Sequence, residues 1–238
     1  MYIRKFESFD KSDDRSIPKG TMSTEIISPD VVYDYEYYGV VFSGRFRNAE
    51  VVNGRINIDG DIEINGRRRS KKTSSLPIKF GHINGNFIFI NNLLTNLEGF
   101  PILVSKDFSC VGNKLTSLEG APNSVGGDFY CYNNNLTSLE GAPNSVGGAF
   151  YCNNNKIIDF KVPEFSLNEE KVFICNDNPI YQIYSLFNTP KCIDLINEYS
   201  AVQGDKVIWD RLVEVYHSLN IPIPNTRDIT LNKFKIIL

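Results

Sequence analysis

A long-period pattern of apolar and polar residues runs through the middle of the chain. The motif Phe-x-Cys-x-x-Asn-x-Leu begins at Phe108 and returns at Phe129 and, with Ile157 in place of the last Leu, at Phe150, each time after 21 residues. Related versions begin at Phe87 and, after a spacing of 23 residues, at Phe173, and Thr73 to Leu76 fits a degenerate first copy. This period is too short for a domain and too long for a heptad. It predicts a solenoid in which each repeat is one strand and a return segment.

Each position of the motif has a predicted role inside a coil. The Phe and the Cys are two residues apart, so both point into the coil from one strand. The Asn is polar at an inward position, so we expect it to bond the backbone of the neighbouring coil. The predicted ladder comprises Asn92, Asn113, Asn134, Asn155 and Asn178. Gly126-Gly127 and Gly147-Gly148 are predicted to permit a tight bend before each strand.

The unit Asn-x-Leu-Thr-Ser-Leu-Glu-Gly-x-Pro, joined to the Phe-x-Cys strand, resembles short leucine-rich repeats of the bacterial type. In particular, it resembles repeat proteins encoded by bacteriophages. The segment Asn-Pro-Ile-Tyr-Gln-Ile-Tyr at 178–184 and the Leu-Ile-Asn-Glu-Tyr helix at 195–199 resemble the end of such proteins. The resemblance covers about residues 80 to 215. It implies a leucine-rich repeat fold and says little about activity, because a fold does not fix a function.

The predicted fold class is α+β: a solenoid of parallel strands, covered at its ends by a β cap and a helical cap. Residues 25–72 are the predicted N-terminal β cap, continuous with the repeat sheet, 73–182 the solenoid and 183–238 the C-terminal cap and tail. Two helices are expected in that cap, at 191–202 and, with Val207 on its apolar face, at 205–219. The tail from Ile229 to Leu238 fits a short strand or a docked segment. Residues 1–24 are expected to be flexible or to act as a docking peptide.

Charge and apolar content argue against several classes of function and location. The chain has 25 basic and 28 acidic residues, which argues against general affinity for nucleic acid. The basic run from Arg67 to Lys72 is expected to be a solvated loop. No stretch of about 18 apolar residues suggests a membrane span, and residues 1–14 lack a signal-peptide core. The expected location is the cytoplasm, of the host cell if the protein is phage-encoded.

Candidate catalytic and metal-binding residues are few. The chain has only two histidines, His82 and His217, in different predicted elements. Cys152 and His217 could form a nucleophilic pair, but nothing in the sequence places them together. The repeated cysteines, with spacings of 21, 21 and 23 residues, would form a row rather than a tetrahedral zinc site. We therefore expect no enzyme activity, metal or cofactor, and interpret the cysteines as buried apolar residues.

Residues beside the inward Phe and Cys point outward, onto the expected concave side of the solenoid. Tyrosines and aliphatic residues are unusual on a solvated sheet and mark an interaction surface. The predicted binding residues are Ile88, Ile90, Asp107, Ser109, Val111, Asp128, Tyr130, Tyr132, Tyr151 and Asn153. Alternatively, the tyrosines stack only on each other and the two isoleucines lie under the cap. Tyr33 to Tyr38 is a second candidate surface, or a strand of the cap.

The sequence therefore predicts a non-enzymatic module that binds a protein. The phage resemblance implies a host factor as its partner, such as a component of host defence. The alternative is a structural virion or assembly component, and an enzyme with catalytic caps is the least favoured interpretation. No nucleic acid or membrane partner is expected, and homo-oligomerisation is left open.

Overall fold

A computed structural model describes residues 32–37, 40–68, 72–76, 79–158, 172–187, 189 and 191–238 of the chain. The predicted N-terminal peptide at 1–24 lies outside these residues, as do the last residue of the Tyr33–Tyr38 segment and residues 69–71 of the basic run. The described strands are β1 Val32–Tyr37, β2 Val40–Val52, β3 Arg55–Gly60, β4 Ile62–Asn65, β5 Phe80–Ile83, β6 Phe87–Ile90, β7 Leu103–Val104, β8 Phe108–Ser109, β9 Ser124–Val125, β10 Phe129–Tyr130, β11 Ser145–Val146, β12 Phe150–Tyr151, β13 Phe173–Ile174, β14 Val202–Gln203, β15 Lys206–Ile208 and β16 Lys235–Ile237. The helices are α1 Tyr181–Phe187, α2 Lys191–Glu198 and α3 Trp209–Ser218.

Five successive coils, from β3–β4 to β11–β12, contribute one strand to each of two parallel ladders, and the last coil contributes β13 to one of them. The front ladder has the order β4-β6-β8-β10-β12-β13, and the side ladder has the order β3-β5-β7-β9-β11. Equivalent residues of successive coils pair directly, as Phe129 does with Phe108 and with Phe150. The 21-residue period thus produces a solenoid of parallel strands, as the sequence predicts. The prediction of one strand per repeat is wrong, because part of each return segment also pairs between coils and forms the side ladder.

The two ladders meet at the long strand β2. This strand pairs antiparallel with β3, from Phe46–Gly60 to Val52–Arg55, and with β4 at Ser43–Glu63. A two-residue turn of Asn53 and Gly54, both with positive φ, joins β2 to β3 and suits such a hairpin. Because β3 and β4 pair in parallel with β5 and β6, residues 55–65 continue both ladders by one more coil.

A single apolar core fills the coils. The repeated phenylalanines stack at centroid distances of 6.0, 5.1, 4.9 and 5.8 Å along Phe87, Phe108, Phe129, Phe150 and Phe173. The four repeated cysteines lie in the same interior, with side chains at most 1% exposed. The core continues into the C-terminal helices, where the rings of Phe173 in the last coil and Tyr184 in α1 pack with their centroids 6.2 Å apart.

The C-terminal region differs from the predicted pair of helices. The helix predicted at 191–202 ends at Glu198, and the one predicted at 205–219 begins only at Trp209. Residues 202–208 instead form the hairpin β14–β15, with Gly204 at a φ of +59° in its turn, and β16 pairs in parallel with β15. Val207 therefore lies in a strand, because this pairing outweighs its fit to a helical pattern. The sequence did not predict α1.

Candidate functional site

The candidate site is the outer face of the front ladder, which we call the front face. Its residues alternate with the buried Phe and Cys and form three columns across the coils, which the strand register defines. The columns are Asp61, Asn86, Asp107, Asp128, Ala149 and Val172; Glu63, Ile88, Ser109, Tyr130, Tyr151 and Ile174; and Asn65, Ile90, Val111, Tyr132, Asn153 and Asn176.

The coils are aligned by the asparagine ladder that the sequence predicts. Asn134 accepts the Leu115 N–H through Oδ1 at 3.1 Å and donates through Nδ2 to the Cys110 and Cys131 carbonyls, both at 3.1 Å. The same pattern recurs at Asn113, Asn155 and Asn178. Each amide thereby bonds its own coil and the coil before it, which fixes the relative position of the strands that carry the front face.

A second ladder of side chains runs along the corner between the two strands of each coil. Asp107 Oδ1 accepts the Asp128 N–H at 2.9 Å, and Asp128 Oδ1 accepts the Ala149 N–H at 2.7 Å. Asp61 and Asn86 perform the same task in the preceding coils. Asp107 and Asp128, predicted as binding residues, therefore also have a structural role.

The corner glycines serve this second ladder. A Cβ on Gly127 would overlap the Asp107 carboxylate, and one on Gly148 would overlap the Asp128 carboxylate. Gly126 and Gly147 face backbone carbonyls of the preceding coil equally closely. The chain bends at all four glycines, as the sequence predicts. None of them has a positive φ, so what requires glycine there is the close approach of neighbouring coils rather than a left-handed backbone.

Three tyrosines form a packed aromatic cluster on the front face. Tyr130 and Tyr151 stack with ring centroids 4.7 Å apart and planes 11° apart, and Tyr132 meets Tyr130 edge-on at 6.4 Å. All three side chains are half-buried. The Tyr130 hydroxyl donates to Asp128 Oδ2 at 2.7 Å, and this hydrogen bond, with burial and the nearby carboxylates, raises the pKa of Tyr130 well above its usual value.

The remaining predicted residues lie around this cluster. Ile88 and Ile90 are half-buried beside Glu63 and Asn65 of β4, and Asn153 is half-buried beside Tyr132. Ser109 and Val111 are only 6% and 8% exposed, because longer residues flank them in both neighbouring coils. The structure thus brings all ten predicted residues onto one face.

Sequence reasoning missed Asp61 and Glu63 as part of this face. Both lie in the predicted N-terminal β cap, and β4 continues the front ladder with Glu63 opposite Ile88, as expected for a cap continuous with the repeat sheet. The predicted binding residues, however, begin only at Ile88. The alternation of Ile62, Glu63 and Ile64, which matches that of the coil strands, was the available signal.

The groups weighed for catalysis and metal binding do not converge. Cys152 is buried inside a coil, where desolvation raises the pKa of its thiol, whereas His217 lies exposed on α3 with its Nδ1 3.8 Å from Glu214. Within the described ranges, no group of three or more His, Cys, Asp or Glu side chains could hold a metal ion. The helices described are also too short or too polar to cross a bilayer.

No family model matches the chain, and neither a curated protein nor a solved structure matches it.

Proposed function

We propose that the protein is a non-enzymatic module that binds a partner protein through the front face. The observation that carries this proposal is the half-exposed cluster of Tyr130, Tyr132 and Tyr151 on a sheet that side-chain ladders hold in register. Tyrosine buries a large area while keeping a polar tip, which makes it a frequent hot-spot residue. Because these rings are already packed, their immobilisation on binding costs little entropy.

The finer features of the proposal rest on the sequence resemblance. In this view the coils are leucine-rich repeats, with β1–β4 and α1–α3 covering the two ends of the solenoid. A bacteriophage origin makes a host factor, such as a component of host defence, the expected partner in the host cytoplasm.

The test is an affinity purification from host cells that compares the wild-type protein with the double variant Tyr130→Ala/Tyr151→Ala. We expect the double variant to fold and to lose about 2 kcal/mol or more of binding free energy, which is a loss of roughly thirtyfold in affinity. Quantitative mass spectrometry measures partner recovery, and circular dichroism checks the fold.

A matched control is Glu119→Ala/Glu140→Ala, which changes two exposed side chains on the return segments of neighbouring coils. This control should recover the partner as the wild type does. Equal recovery by the tyrosine double variant would reject the front face as the binding surface.

A second candidate is a structural virion or assembly component. It is favoured by the near-identical coils at 114–127 and 135–148, which repeat exposed side chains such as Thr116 and Thr137 at one spacing and so suit a spacer or adhesive surface. Mass spectrometry of purified particles would detect the protein in this case, whereas a free host-binding protein would be absent from them.

A further inference from the structure

The front face carries negative charge next to its aromatic cluster. Carboxylates occupy its outward positions at Asp61, Glu63, Asp107 and Asp128, and no lysine or arginine occupies any outward position of its three columns. Lys106 and Arg67 are near in the chain but fall outside these columns. This face therefore complements a positively charged group rather than an anion.

One carboxylate oxygen on this face has no hydrogen-bond partner among the residues that the structure describes. Asp107 Oδ1 accepts a hydrogen bond from the Asp128 N–H, whereas Asp107 Oδ2 makes no hydrogen bond with any described residue. The corresponding oxygen of Asp128 differs, because it accepts the Tyr130 hydroxyl. The Asp107 carboxylate is half-buried and thus remains open to a donor from outside the chain.

Among the described residues, a ring stacks on one side of the Tyr130 ring along the ladder, and we call the other side the open side. Tyr151 stacks on the side toward the later coil, with the two planes only 11° apart. The opposite side of the Tyr130 ring therefore looks toward the coil of Ser109, which pairs directly with Tyr130. The negative face of a tyrosine ring attracts a cation that lies over it.

Ser109 forms the floor between Tyr130 and Ile88. Its side chain is the shortest in its column and only 6% exposed, and its hydroxyl makes no hydrogen bond among the described residues. A buried hydroxyl without a partner is costly, and a bound polar ligand would remove that cost. We call the space above Ser109, between Ile88 and Tyr130 and beside Asp107, the Ser109 slot.

We propose that the Ser109 slot receives an arginine side chain of the partner protein. The guanidinium stacks on the open side of the Tyr130 ring and donates to Asp107 Oδ2 and to the Ser109 hydroxyl, while the methylene stem lies against Ile88. Arginine is favoured over lysine because its plane stacks on an aromatic ring while its edge donates several hydrogen bonds. This inference deepens the proposed function and rests on it.

The probe is an acetylated and amidated Gly-Gly-Arg-Gly-Gly peptide, titrated into the full-length ¹⁵N-labelled protein. We expect saturable shifts of the Ser109 and Tyr130 amide resonances that weaken as the salt concentration rises. The control peptide carries citrulline, which keeps the shape of arginine but lacks its charge, and it should bind at least tenfold more weakly.

Two variants introduce residues that other coils already have at the equivalent position, so we expect both to fold. Asp107→Asn removes the charge but keeps an Oδ1 acceptor, the group that Asn86 supplies in the preceding coil. Ser109→Tyr fills the slot with the residue found at the same position in the next two coils. Both should retain the native circular dichroism spectrum and reduce affinity for the arginine peptide at least tenfold. Equal binding of the citrulline peptide, or unchanged affinity in both variants, would overturn the proposal.

The same two variants separate this inference from the proposed function. If a partner lost by Tyr130→Ala/Tyr151→Ala is still recovered by Asp107→Asn and Ser109→Tyr, the binding face stands and the arginine slot is wrong. If the arginine peptide binds as expected but no recovered protein depends on the tyrosines, the slot stands and the proposed protein-binding function is wrong.

Discussion

At the scale of single residues, the asparagine ladder shows how a polar side chain can serve an apolar interior. The ladder asparagines are at most 8% exposed, and each combines an accepted backbone N–H with donated bonds to carbonyls of two coils. A buried amide that is fully hydrogen-bonded avoids the cost of desolvation, whereas removing it leaves several backbone groups unpaired. The ladder therefore favours this one register of the coils.

Replacing Asn134 by alanine tests this role. The variant leaves the Leu115 N–H without its acceptor and removes bonds to the Cys110 and Cys131 carbonyls. We expect the free energy of unfolding to fall by about 2–4 kcal/mol, measured by urea denaturation. The control Asn144→Ala makes the same change at an exposed position and should shift stability by less than about 0.5 kcal/mol. Similar small effects for both variants would contradict a structural ladder.

Buried thiols and phenols make stability depend on alkaline pH. Burial raises the pKa of Cys175 from 9.0 to about 12, and burial is also the main cause that raises the pKa of Tyr184 to about 12. Below the unfolded-state values both groups are neutral in both states, and their contribution to stability is fully present. Above those values only the unfolded chain ionises, so the contribution is lost as pH rises toward the folded-state values.

We therefore expect the urea midpoint to fall between about pH 8.5 and pH 10.5. The variant Cys175→Ala, which removes one such thiol, should show a shallower fall over the same range. A midpoint that is constant or rises over this interval would contradict the assignment of these groups to the core.

At the scale of elements, the corner between the two strands of a coil is built from a carboxylate and a glycine in successive coils. Asp128 reaches across to the Ala149 N–H, and Gly148 leaves the space that its carboxylate occupies. The same relation joins Asp107 to Gly127. A short strand pair is thus anchored by side chains as well as by its few backbone hydrogen bonds.

The variant Gly148→Ala tests this corner. Its methyl group would displace the Asp128 carboxylate, so we expect a loss of about 1–3 kcal/mol of stability. In an Asp128→Ala background the same change should cost less, because the carboxylate is already absent. A double-mutant cycle measured by urea denaturation reports this coupling, and simple additivity of the two changes would show that the contact is unimportant.

At the scale of the whole molecule, the core runs without interruption from Ala49 to Phe234. The last coil meets the helices where Phe173 lies between Phe150 and Tyr184, and the helices are held together by the contact of Phe187 with Tyr216 at 4.5 Å. Because a continuous core couples neighbouring units, the solenoid and the C-terminal region are expected to unfold together.

The only tryptophan, Trp209, provides a local probe of this coupling. Unfolding followed by Trp209 fluorescence should coincide with unfolding followed by far-UV circular dichroism, which reports the whole chain. The variant Phe173→Ala weakens the junction, so its fluorescence transition should move to lower denaturant than its dichroism transition. Separate transitions in the wild-type protein would show that the C-terminal region folds independently.

The sequence by itself determined the solenoid, because every coil places the same residue types in the same surroundings. An inward Phe and Cys, followed by an Asn that needs hydrogen-bond partners, recur at a fixed spacing and therefore predict stacked parallel coils. The pairing of equivalent phenylalanines in neighbouring coils confirms this prediction. The same repetition identified the front face, since outward positions follow directly from inward ones.

Only the tertiary structure decided the features that depend on non-repeated contacts. The β14–β15 hairpin replaced a predicted helical turn because β16, from the distant end of the chain, pairs with β15. The proposed Ser109 slot likewise depends on hydrogen bonds that the repeat does not predict: Asp128 Oδ2 accepts the Tyr130 hydroxyl, whereas Asp107 Oδ2 accepts no hydrogen bond from a described residue. Local sequence patterns do not predict the pairing of β15 with β16, because it joins residues that are distant in the sequence and is fixed by packing across the whole molecule.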